Sequence, residues 1–300
     1  MASLVHDHAR WGTGDQIGAA NHLSPEVTLA ALGEVREGRV LGLSQPISHQ
    51  IPHMAPFQSA FVMTNAGTPR NRMRARAKMG ATNEIGSIIE RIGMTTHVGT
   101  HMDALGHITI GDRMYGGYSA DETLDDLGLA NLGIEHCPPI VTREVLLDVS
   151  RLDGGDHLAS GRPVTADDLA RVADDAGVMP QKGDVVFINT GWGKFYMTDN
   201  ARYIDGEPGI DVGAAKWLTD KNIVAIGADN MAVEVMPHPQ HPELVLPVHQ
   251  HCLVEHGVYL IENMRFDAIV AAGRPTFCLM AAPVPFCGAS GAPVSPVAIV

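Results

Sequence analysis

Four short apolar runs punctuate the chain: VVFIN at 185–189, IVAIGA at 223–228, VYLIE at 258–262 and TFCLMAA at 276–282. Brief, partly β-branched runs without polar alternation predict strands covered on both faces. Helical patterns fall between several of them. SPEVTLAALGEVREG opens with Ser24 as a cap and Pro25 at the first helical position, and Gly38 is its expected stop. VTADDLARVADDAG offers Thr165 as a cap with Asp168 three residues on, and Gly177 closes it. DVGAAKWLTDKN is a third helical candidate, directly before IVAIGA. Strands interleaved with helices predict an α/β sheet, while proline-rich joints and long insertions argue against a regular doubly wound one. After residue 275, prolines and glycines interrupt the apolar tail, which predicts one buried strand followed by an irregular end.

Composition narrows the partners. The 300 residues are 45% hydrophobic and carry a net charge of −13, from 21 basic against 34 acidic residues. Such a field opposes nucleic acids and anionic membranes, so a small-molecule substrate is expected instead. Cys137, Cys252, Cys278 and Cys287 form no C-x-x-C pair, and the opening MASLVHDHARWG has no basic segment followed by a long apolar run. The expectation is a reduced, cytoplasmic chain. No repeat or Ser/Gly-rich linker divides it, which predicts one domain over residues 1–300, with 1–38 as an N-terminal extension. Arg70, Arg72, Arg74, Arg76 and Lys78 form a basic run suited to a solvated face or a subunit contact. The fragment from Gly12 to Gly18 misses the dinucleotide fingerprint in spacing and follows no strand, and no P-loop occurs.

The chemistry concentrates in THVGTHMDALGHI, where His97, His101, Asp103 and His107 fall within eleven positions. On a helix, 100° per residue leaves Asp103 and His107 opposite His97 and His101. On a straight strand all four share a face, yet His97 and His101 would stand roughly 13 Å apart at about 3.3 Å per residue. A bent segment is therefore required, and Gly99, with Gly106 as a second bend, supplies it. Two imidazoles and a carboxylate suit a divalent transition metal with positions left open for water and substrate.

His97-Val-Gly99-Thr100-His101-Met-Asp103-Ala-Leu-Gly-His107 fits the pattern H-x-G-T-H-x-D-x-x-x-H, and so resembles the metal-dependent cyclase family that includes bacterial kynurenine formamidases and isatin hydrolases. A second stretch, His249-Gln250-His251-Cys-Leu253-Val-Glu-His-Gly257-Val-Tyr-Leu-Ile-Glu262-Asn263, resembles the family's late signature, and RWGTGDQIGAANHLSPE looks like the N-terminal extension of its longer members. The resemblance implies a mixed β-sheet, barrel-like core with flanking helices in a swivelling β/β/α arrangement, and a homodimer or homotetramer. It implies that His97, His101 and Asp103 bind metal while His107 works beside it in proton transfer. Aligned on His251 and Glu262, Gln250 stands where two-zinc formamidases carry a ligating His, as in isatin hydrolases. That favours Gln250 as an oxygen ligand, one Mn²⁺ per chain with Zn²⁺ as the alternative, and Glu262 as a proton-handling or strand-end carboxylate. The resemblance also puts the segment of His49, His53, Phe57 and Phe61 near the substrate pocket, with His249 and His251 as further pocket candidates.

A metal with an open position lowers the pKa of water and polarises a carbonyl, and no G-x-S-x-G nucleophile motif competes for the role. The expectation is hydrolysis of a C–N bond in a cyclic amide or formamide, cyclic amides ranking first because of Gln250, with lactones as the alternative on the same scaffold. A non-haem iron oxygenase would instead use His101, Asp103 and a distant His such as His249 or His251 as a facial triad. A non-catalytic metal- or ligand-binding protein is the third expectation. The loop Met236–Glu243, with His238 and His241, is expected at the pocket rim or in solvent.

Overall fold

A computed structural model of the chain describes residues 10–300. Residues 1–9, which begin the expected extension and the segment read for a leader, lie outside the described residues. The strands that matter are β1 (Val40–Gly42), β2 (Val62–Asn65), β3 (Glu90–Gly93), β4 (His101–Asp103), β5 (Ile140–Asp148), β6 (Val185–Asn189), β7 (Ala225–Ala228), β8 (Tyr259–Glu262), β9 (Thr276–Ala281), β10 (Gly291–Pro293) and β11 (Val297–Ile299). The helices are α1 (Pro25–Leu32), α2 (Pro69–Lys78), α3 (Ala166–Asp175), α4 (Val212–Thr219) and α5 (Asp267–Ala272).

Nine strands join in one curled, half-barrel sheet in the order β1-β11-β9-β5-β6-β7-β8-β4-β10. Its centre, β5-β6-β7-β8, is parallel, and both flanks are antiparallel. Every residue of β6, β7 and β8 is buried, so the four apolar runs are the strands they predict. Helices cover the faces. Thr165 and Asp168 cap α3 reciprocally, the Thr165 hydroxyl oxygen accepting from the Asp168 N–H at 3.2 Å while Asp168 accepts from the Thr165 N–H at 3.1 Å. Asp211 caps α4 through the Ala214 N–H at 2.7 Å.

Two elements differ from expectation. Helix α1 starts at the Ser24 cap but stops at Leu32, because the Gly33 N–H closes its last turn on Leu29 and Ala30. Gly38 instead turns the chain into β1, with φ near 69° and its N–H on the Val300 carbonyl. The end after β9 is not irregular either. It supplies β10 and β11, short strands in which proline is confined to the sheet edge or to strand ends. Cys137, Cys252 and Cys278 are buried thiols, Cys287 is exposed, and no described helix is long and apolar enough to cross a membrane.

One excursion stands apart. Strands β2 and β3 pair only with each other, and α2 between them buries no residue. Met79 is 86% exposed and Ile92 62%, with Met63, Ile85, Ile88 and Ile89 also open to solvent.

Glu144 in β5 is fully buried; its Oε1 accepts from the Phe187 N–H at 3.1 Å, and its Oε2 has no hydrogen-bond partner among the described residues. Burial, reinforced by Asp184 and only partly offset by the Phe187 N–H and Arg143, pushes its carboxyl well above the usual carboxylate range. Unfolding then releases a proton from this group at pH 7, so stability falls as pH rises from the unfolded value near 4.5. Glu144→Gln is expected to stabilise the protein at pH 7–8 by about 1–3 kcal/mol, a gain that shrinks toward pH 4. Thermal unfolding across that range checks it, and no gain at pH 8 would show that Glu144 folds ionised.

Candidate metal centre

The cluster is assembled by two adjacent strands and one helical turn. In β4, alternation places His101 and Asp103 on one face, and antiparallel pairing with β8 sets Glu262 directly opposite His101. Before β4 the chain bends at Gly99, with φ near 69°, and the bend brings His97 back over the strand. A Cβ at Gly99 would also meet Ile47 at 2.8 Å. Thr100 pins the bend: its hydroxyl donates to the Asn263 carbonyl at 2.6 Å and accepts from the Gln45 N–H at 2.7 Å. Gly106 does not take a positive φ; it is needed because a Cβ there would meet Leu129 at 2.6 Å. Gly291 in β10 lies opposite Asp103, and a Cβ there would meet the His97 ring at 2.6 Å.

Four imidazoles and two carboxylates converge. His97 Nδ1 lies 2.8 Å from Asp103 Oδ1, and its Nε2 3.0 Å from the Ser290 hydroxyl. His107 stacks on His97 with ring centroids 4.0 Å apart. His97, Asp103 and His107 each offer a donor atom within 4.8 Å of the others, as do Asp103, His249 and Glu262. His249 Nε2 lies 3.1 Å from Glu262 Oε1 and 3.5 Å from Asp103 Oδ2, and His101 Nε2 3.1 Å from Glu262 Oε2.

Neighbours fix which ring nitrogens face inward. His101 Nδ1 donates to the Gly99 carbonyl at 2.9 Å, which leaves Nε2 as the inward lone pair of the neutral ring. Glu234 does the same for His249, accepting from Nδ1 at 2.6 Å and from the backbone N–H groups of Val248 and His249. His101 Nε2 and Asp103 Oδ2 are buried without a hydrogen-bond partner among the described residues. Lone pairs and carboxylates thus crowd one buried volume, an arrangement that extra protons or a cation resolve.

The electrostatics agree. Burial opposes charge on His101, yet Glu262 and Asp103 outweigh it and raise the ring to about 9. Against the same burial penalty, Glu234 and Glu262 lift His249 well above its ordinary value. Burial and Asp103 push Glu262 upward, but His101 and His249 overcome them and hold it low, and Asp103 is held well below the carboxylate range by His107, His97 and His101 despite burial. His107 goes the other way, down to about 4, through burial above all and through His97 and His249. The cluster thus draws positive charge onto His101 and His249 and drives it from His107.

Of the residues singled out from sequence, His97, His101, Asp103, His107 and Glu262 meet here. Gln250, expected as an oxygen ligand, donates its amide nitrogen to the Thr109 carbonyl at 3.1 Å, while His249, expected only as a pocket residue, faces Asp103 and Glu262. Residues 250–256 form a π-helix, and His249 precedes its first residue. His251 turns away toward α4, its Nε2 3.0 Å from Thr219. Phe61 packs in a satellite apolar cluster with Val98, Trp192 and Tyr203, Phe57 and His49 are exposed, and His53 is half-buried. Gln58, between the two phenylalanines, is the residue that touches the motif, donating to the His97 carbonyl at 2.7 Å. His238 lies half-buried, with His241 exposed, over a cleft of about 410 Å³ whose lining includes Glu234. Sequence reasoning missed Glu234 and Ser290, which belong to no recognisable motif.

Comparisons with known proteins agree with this fold. No curated protein matches the chain by sequence. Among solved structures, a protein described as a novel cyclase is 28% identical, covers 98% of this chain and 99% of its own, and superposes with a TM-score of 0.86. Isatin hydrolase A from Labrenzia aggregata, bound to benzyl benzoate, shares the fold at 20% identity, 92% and 97% coverage and a TM-score of 0.64. A protein described as a predicted metal-dependent hydrolase from Bacillus stearothermophilus shares it at 22% identity, 87% and 97% coverage and a TM-score of 0.53. The Cyclase family model matches residues 41–235, well over half of the sequence, and the chain belongs to that family.

Proposed function

We propose that this chain is a metal-dependent hydrolase that opens a small cyclic amide or cleaves a formamide. The convergence of His101 Nε2, His249 Nε2, Asp103 and Glu262, with His101 Nε2 and Asp103 Oδ2 buried and unpartnered among the described residues, carries the proposal. Those four groups, with His97, would hold the ion. An oxygen ligand from Gln250 was the reason to prefer manganese; the imidazole and carboxylate set that remains suits Zn²⁺ as well as Mn²⁺, and the two groups sharing Asp103 offer room for one ion or two. When bound, the ion supplies a polarised carbonyl and a water of lowered pKa. Asp103 and Glu262 fix the ion, Glu234 keeps the His249 lone pair inward, and neutral His107 accepts the proton of the attacking water and returns it to the departing nitrogen. One C–O bond forms, one C–N bond breaks, and the proton count closes. Isatin hydrolases among proteins sharing the fold make a cyclic amide the first substrate to test. A lactone would follow the same steps with an oxygen leaving group.

A second reading has an observation of its own. His101, Asp103 and His249, the residues of a facial triad, do stand together, as an iron oxygenase requires. Such an enzyme consumes O₂, whereas hydrolysis does not.

Turnover of isatin and N-formylkynurenine, measured after chelation and re-addition of Mn²⁺ or Zn²⁺, tests the hydrolase. Activity is expected to vanish with the metal, return with it, and persist without oxygen. His107→Ala is expected to lower kcat by about 10²-fold or more while the ion held by Asp103, His249 and Glu262 is retained. Wild-type turnover in that variant, or activity only in air, would contradict the mechanism.

We further infer that the chain assembles with copies of itself. A two-stranded ribbon and a ten-residue helix are marginal in water, so the excursion of β2, α2 and β3 needs a cover. Its basic helix complements an otherwise acidic chain, whose exposed surface includes Asp121, Glu122, Asp125 and Asp126 around Leu124 and the 92% exposed Leu127. Light scattering is expected to show a dimer or tetramer that R70E/R72E/R74E dissociates. A monomeric wild type, or an assembly indifferent to those changes, would refute it.

A further inference from the structure

We propose that the π-helical turn carries a second divalent-cation site on its outer side, built from His251, Glu255 and His256 and independent of the hydrolase reading. Donor atoms of the three residues all lie within 4.8 Å of one another. His251 Nδ1 is 2.9 Å from Glu255 Oε2, and the His251 and His256 rings are 4.2 Å apart. The π-helix makes this grouping. In an α-helix, positions five apart diverge by about 140° at 100° per residue, so His256 would point away from His251. A turn closed by i→i+5 bonds brings both the fourth and the fifth residue back beside the first.

The Thr219 hydroxyl lies 3.2 Å from the Lys216 carbonyl and 3.0 Å from His251 Nε2. When it donates to the carbonyl, its oxygen accepts the Nε2–H, and the neutral ring turns its Nδ1 lone pair to Glu255 Oε2 across 2.9 Å. An ion between them converts that opposition into two bonds, with His256 as the third ligand and water completing the shell. Thr219 plays for His251 the part that Glu234 plays for His249. Asp220 adds a second carboxylate in the neighbourhood, against the positive charges of Lys216 and Arg10. Two imidazoles and a carboxylate, with Glu255 and His256 partly exposed, select a late first-row ion such as Zn²⁺ in an open site. His249 lies two residues before His251 but faces the opposite way, toward β4 and β8. The two sites therefore share a segment and no ligand.

Titrating Zn²⁺ calorimetrically into the full chain as purified, with its bound metal counted first, tests the site. One further equivalent is expected, weakened about 10-fold or more by His256→Ala and by Glu255→Gln, with the metal originally bound unchanged. His241→Ala serves as the control, because His238, His241 and Glu243 form another histidine-rich surface loop. Absence of a further equivalent in the wild type would overturn the proposal. So would an equivalent that survives both variants, or one that His241→Ala removes.

Discussion

Too many electron pairs meet in one buried space, and the rest of the structure is arranged around that fact. His101, His249, Asp103 and Glu262 point acceptors at a common volume, where an uncompensated charge costs several kcal/mol even after relaxation. No lysine or arginine joins these contacts to neutralise them. The raised imidazoles of His101 and His249 show the same demand met by protons, and a divalent ion meets it better. The affinity of the site for a cation and the cost of folding it thus come from a single electrostatic imbalance.

A rigid scaffold sustains the imbalance. The parallel centre β5-β6-β7-β8 buries its apolar runs on both faces, and β4 joins its edge so that His101 and Glu262 oppose each other in register. Thr100 ties the Gly99 bend to the strand end at Asn263, Gly291 clears space for the His97 ring, and Glu234 both caps the helical turn and orients His249. Each of these groups acts through backbone position or tautomer, while burial, His97 and His249 hold the His107 ring below its ordinary pKa.

Much of this was legible in the sequence because local chemistry agrees with the global fold. The four apolar runs, the Thr165 and Ser24 caps and the Gly99 bend all follow from residue type and spacing. What escaped depended on long-range geometry. Glu234 lies in a loop segment with no motif, and only the fold brings it against His249. Gln250 was singled out by resemblance rather than by geometry, and in the structure its amide nitrogen is tied to the Thr109 carbonyl. The strands after residue 290 are three residues each, too short and too close to proline for periodicity to reveal. Segment 49–61 was expected at the pocket, yet Phe61 serves a satellite core, and Gln58 makes the contact with the motif.

His249 is the residue of the late motif that faces both Asp103 and Glu262. Metal content of His249→Ala and Gln250→Ala after dialysis against a weak chelator, each compared with wild type, tests this directly. Loss of metal from His249→Ala with retention by Gln250→Ala is the predicted result. Retention by His249→Ala with loss from Gln250→Ala would contradict it, and would put the amide oxygen back into the shell.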